Sequence, residues 1–216
     1  MTNPAESISQ AMRTVAAAHT ALGEYYQELA AFFQLVDDAL AKSEAGRSLI
    51  PLSKERLISS TSDFALERPS EWLSPWLARF YVDAALVPEG RSPDDCAGET
   101  AYNFAFVWIC AKDTAASIQE PECWIGVSNP GFKNLNERAY NVADKMWEQF
   151  RLELGSPTSD GWIEGRFPKQ KFGFASGGFW LLQRIPLSRI DSVAQIFGLV
   201  AQPLQRCYTE RFRSVQ

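Results

Sequence analysis

Residues 8–40 read ISQAMRTVAAAHTALGEYYQELAAFFQLVDDAL, and their apolar positions decide the first element of the fold. Ile8, Met12, Val15, His19, Leu22, Tyr26, Leu29, Phe33, Val36 and Leu40 follow one another at alternating spacings of four and three. That alternation holds one seam on one face of a helix, and a seam of this kind requires a partner. Asn3-Pro4 suits the first turn, Glu6 favours the positive end of the helix dipole, and Gly46 is the first good terminator. From Ile8 to Leu40 the helix spans about 50 Å at 1.5 Å per residue.

Three features modify the seam. Tyr25, Phe32 and Leu35 widen the apolar face beyond the width of a two-stranded zipper, which favours docking on a globular body. Gly23 interrupts the helix interior at up to about 1 kcal/mol relative to alanine, marking a bend or a close approach. His19 stands at a seam position, where two copies facing each other in a dimer would make association pH-sensitive.

Beyond the helix, residues 47–78 read as a connector with short helical turns, punctuated by Pro51, Pro69 and Pro75. Strand patterns follow at Arg79–Val87, Tyr102–Ala111 and Glu122–Ser128. In the second of these, Tyr102, Phe104, Phe106 and Trp108 alternate with Asn103, Ala105, Val107 and Ile109, so one face of the strand is wholly aromatic. A helix over about 134–154 presents Met146, Trp147 and Phe150 as a cover for that face. Two more strands are expected at Trp162–Phe167 and Phe172–Ile185, then a helix over about 188–211 that Pro203 kinks or interrupts. The order α-βββ-α-ββ-α predicts an α+β fold: a long N-terminal helix, then an antiparallel or mixed sheet of about five strands with helices packed on it. By organisation the chain divides into the helix at 1–46, the connector at 47–78 and an α+β domain at 79–216.

Composition bounds the function. With 46% hydrophobic residues, 14 Phe and 7 Trp among 216 positions, the chain has ample core. No signal peptide or membrane-spanning run is evident. Cys96, Cys110, Cys123 and Cys207 are widely spaced without a C-x-x-C pair, which fits reduced thiols of a cytoplasmic protein. The net charge of −5 hides an asymmetry, because residues 161–216 carry eight basic side chains against three acidic ones. A basic end of this kind makes nucleic acid a candidate partner, with Lys169, Lys171 and Arg184 as contacts and the aromatic strand face as a stacking platform.

Catalytic patterns are sparse. A single histidine limits Ser–His–Asp or Cys–His chemistry to His19, and a zinc site with two histidines cannot be made from one chain. Neither phosphate-binding glycine motif is present. Residues 127–138 are similar in strand–turn–helix order to the acyl-CoA loop of GNAT acetyltransferases, but Leu135, Asn136 and Glu137 replace the part that binds pyrophosphate. The element order is also similar to the core of PD-(D/E)XK nucleases, where an Asp and an E-x-K on neighbouring strands hold Mg²⁺. Asp83, Asp113 and Glu122 are the matching carboxylates, and Trp124 stands where that motif has lysine.

The sequence therefore points first to a non-enzymatic interaction protein without cofactor or metal, self-associating through the seam residues of its first helix. Its partner is a second copy or another protein, with no membrane involved. The alternative is a nucleic-acid binder or degenerate nuclease using the basic C-terminal third.

Overall fold

The computed structural model describes residues 4–42, 47–52, 57–59, 76–91, 93, 103–111, 118–129, 143, 146–150, 157–167 and 178–212. Helix α1 runs from Pro4 to Ala41 as one unbroken element, as the heptad spacing requires. Among the described residues seven strands make a single sheet: β1 (Leu49–Pro51), β2 (Ile58–Ser59), β3 (Trp76–Asp83), β4 (Phe104–Cys110), β5 (Glu122–Asn129), β6 (Trp162–Arg166) and β7 (Phe179–Pro186). Their order is β1-β3-β4-β5-β7-β6 with β2 also paired to β3, and every pairing is antiparallel.

The α+β class and the long first helix are as expected, but the count of about five strands is too low. The two additional strands, β1 and β2, are three and two residues long and lie within the 47–78 segment read as a helical connector. Strands so short are below the length at which a period of two becomes visible, and Pro51 argues against a strand except at an edge. The helix starts suggested at Ser53 and Ser70 lie outside the described residues.

The four long strands follow their alternation. Phe104, Phe106 and Trp108 point to one face of the sheet with Phe80, Trp124 and Trp180, while Ala105, Val107 and Ile109 point to the other with Tyr81, Ile125 and Leu181. On the aromatic face, Trp147 stacks on Trp108 with ring centroids 6.0 Å apart, and Phe150 lies 5.9 Å from Phe106. Residues 146–150 are helical, so the cover anticipated for this face is the one observed. Phe104, Phe106 and Trp108 are buried core, and Tyr102 lies outside the described residues.

The aliphatic face is covered by the second half of α1 and by the C-terminal helical segment. That segment comprises a turn at Val193–Gln195, a π-helical stretch at Ile196–Ala201 and helix α2 (Gln202–Arg211). The kink expected at Pro203 takes the form of this widened stretch. Proline has no N–H to return to the carbonyl four residues back, and the wider π turns immediately before it absorb the break. The result is a sheet with helices on both faces.

Polar contacts lock the helical layer in place. Gln205 donates from Nε2 to the carbonyls of Leu40 and Lys42, both at 3.0 Å, satisfying acceptors that the end of α1 leaves open. Tyr208 donates to the carbonyl of Asn103 at 3.1 Å. Arg47 bridges Asp83 and the carbonyl of Phe212, each at 3.2 Å.

Candidate interaction face

The heptad seam of α1 divides in two. Leu29, Phe33, Val36 and Leu40 are 6%, 2%, 0% and 0% exposed, sealed against the aliphatic face of the sheet and the π-helical stretch. Before Leu29 the same stripe continues at the same spacing and leaves the body. Met12, Val15 and Tyr26 are 63%, 59% and 41% exposed, His19 is exposed and Leu22 is half-buried. The side chain of Ile8 lies outside the described ones. Pro4–Glu28 thus forms an arm about 37 Å long at 1.5 Å per residue, touching the body at Tyr25 near its base and exposed at most of its described seam positions.

The flanks of the exposed seam are small. Ala16 and Ala18 are exposed, and a Cβ built on Gly23 would have nothing within 4 Å. Nothing inside the chain therefore requires a glycine at this position. Charged groups on the arm, including Glu24 and Glu28, lie away from the stripe.

The polar residues best suited to chemistry are otherwise engaged. Glu122 accepts from Arg184 Nε at 2.7 Å and Nη2 at 2.8 Å, and from Trp124 Nε1 at 2.6 Å. The Arg184 guanidinium also lies 5.3 Å from the centre of the Trp124 ring. Trp124, which occupies the position of the nuclease lysine, thus serves to orient Glu122. Asp83 pairs with Arg47 and accepts from the Ala85 backbone N–H at 3.0 Å, capping the turn after β3. Asp113, Lys169 and Lys171 lie outside the described residues, so of the three suggested nucleic-acid contacts only Arg184 is placed.

A groove that sequence reasoning missed lies between edge strand β6 and helix α2. Its volume is about 840 Å³, and its lining includes Trp162, Glu164, Gln183, Gln202, Arg206 and Arg211. Trp162 and Glu164 are on the sheet face toward α2, and Arg211 crosses the groove to Glu164 at 3.5 Å. At one end the Thr158 hydroxyl donates to Asp160 and holds its carboxyl below the usual range. Burial pushes the Cys207 thiol on the groove wall up to about 12, so at neutral pH it is a protonated, poor nucleophile. Glu164 and Arg211 are 47 positions apart in the chain, and no local motif links them. Among the described residues no group of three or more His, Cys, Asp or Glu could hold a metal ion, and no helix is long and apolar enough to cross a membrane.

No family model, curated protein or solved structure matches the chain.

Proposed function

We propose that the chain is an interaction protein rather than an enzyme, and that it joins a second copy of itself through the projecting half of α1. One observation carries this reading: a single continuous stripe is sealed by the body from Leu29 to Leu40 and exposed at Met12, Val15, His19 and Tyr26. An apolar face of this length is costly to leave in water, and faces of this kind mark sites of association. The five described seam positions from Met12 to Tyr26 on each of two arms cover on the order of 600–1,200 Å², taking about 60–120 Å² for each side chain. That range spans the roughly 1,000 Å² that a biological interface should clear.

The nucleic-acid reading has less support, because Arg184 already has its guanidinium committed to Glu122.

Sedimentation of the full chain at micromolar concentration tests the proposal, with Val15→Asp and Leu29→Asp as paired variants. The wild type sediments as a dimer, and Val15→Asp becomes a monomer that keeps its fold and melting temperature. Leu29→Asp places a carboxylate in the core and unfolds. A folded wild-type monomer, or a Val15→Asp variant that stays dimeric, would overturn the proposal.

A further inference from the structure

We infer that the two arms pair antiparallel about a point beside Ala17, an inference that rests on the self-association reading above. The reason is steric. From Leu29 onward the seam side of α1 is occupied by the chain's own sheet, with Leu29, Phe33, Val36 and Leu40 buried against it. Paired helices lie about 8–10 Å apart. A parallel partner lying along Met12–Tyr26 would therefore drive its own Leu29–Leu40 segment into the space that the first copy's sheet fills. An antiparallel partner avoids this, because its body falls beyond the free tip of the first arm.

The spacing of the stripe agrees. Reversal about Ala17 sets Val15 against the partner's His19, Met12 against its Leu22, and the Ile8 position against its Tyr26. Every seam residue of the arm then meets a seam residue. The exposed histidine of one copy packs beside a valine of the other, so the two imidazoles do not face each other.

The flanks of the seam allow the close packing that this pairing needs. Ala16, Ala18 and Gly23 line the flanks of the seam, so two helices can approach closely there, and the space at Gly23 is empty within the chain.

Electron-spin distance measurements on the full chain decide the orientation. Nitroxides are placed one at a time at Gln10→Cys, Ala17→Cys or Glu24→Cys, exposed positions facing away from the seam, in a Cys96→Ser background; Cys110, Cys123 and Cys207 are buried. Antiparallel arms give the shortest distance at position 17, and longer distances at positions 10 and 24 from an added axial offset of about 21 Å at 1.5 Å per residue. Equal distances at all three positions would establish a parallel dimer and overturn the orientation while leaving self-association intact. No coupling at any position, with a monomer by sedimentation, would overturn both.

Discussion

Arg79 on β3 and Asp37 on α1 meet in a two-pronged ion pair, Nε to Oδ1 at 2.9 Å and Nη2 to Oδ2 at 2.6 Å, with the Tyr81 hydroxyl donating to Oδ1 at 3.0 Å. Arg79 is buried and Asp37 is half-buried, so this clamp fixes how α1 sits on the sheet. Removing one partner of such a pair costs far more than the pair contributes relative to apolar substitutes, because the remaining charge stays desolvated. Asp37→Ala is expected to cost about 3 kcal/mol, measured as a lowered urea midpoint. Asp37→Asn keeps an acceptor for one donor and falls between the two. An Asp37→Ala variant as stable as the wild type would show that Arg79 does not depend on the helix.

Two glycines set the thickness of the aromatic layer. Gly126 on β5 lies opposite Phe106, and Gly165 on β6 lies opposite Trp180. A Cβ at position 165 would fall within the Trp180 indole, and one at 126 would meet the Phe106 ring and the carbonyl of Leu181. Trp180 cannot retreat, since Phe150 packs 5.1 Å away. Gly126→Ala is expected to lose about 2–3 kcal/mol in chemical denaturation. Gly165→Ala should lose a comparable amount, because the Trp180 indole it meets is held in place by Phe150.

What the sequence made legible follows from which interactions are periodic. The heptad stripe and the alternation in β4 repeat over enough residues to identify α1 and the aromatic face. β1 and β2 are too short to repeat. The Asp37–Arg79 clamp joins residues 42 apart, and the β6–α2 groove joins residues as distant, so neither leaves a local pattern. The seam residues were all identifiable as needing cover. Their division at Leu29 was not, because a heptad specifies a face to be buried and is silent about which surface buries it.

Alkali should destabilise the fold through four buried acids. Burial raises Tyr81, whose hydroxyl also faces the Asp37 carboxylate, and burial likewise raises Tyr208 and Cys123 and pushes Cys207 up to about 12. Each is neutral when protonated, and each has a folded value above its unfolded one. Their contribution is therefore intact below the unfolded thiol value of about 8.5 and is lost as pH rises through the folded values. The urea midpoint should stay flat from about pH 7 to 8 and fall steadily above about pH 9, with tyrosinate absorbance from Tyr81 and Tyr208 appearing only as the chain unfolds. A midpoint unchanged at about pH 11 would contradict this burial.

Gly23 separates a structural from an associative role for the arm. In an isolated helix, replacing an interior glycine by alanine gains about 1 kcal/mol, and leucine is nearly as good a helix former. With no atom within 4 Å of the added Cβ, alanine leaves the chain's own contacts undisturbed, and leucine extends from an exposed position. Alanine still permits close helix approach, whereas leucine forces the paired arms toward the wide end of the 8–10 Å range and loosens the packing beside Leu22 and Tyr26. Gly23→Ala should therefore dimerise as tightly as the wild type or more so. Gly23→Leu should weaken dimerisation about tenfold, equivalent to about 1.4 kcal/mol, with the melting of the sheet domain unchanged. Sedimentation equilibrium across the three proteins reads this directly, and equal dissociation constants for the leucine and alanine variants would mean that the arms do not pack closely at this flank.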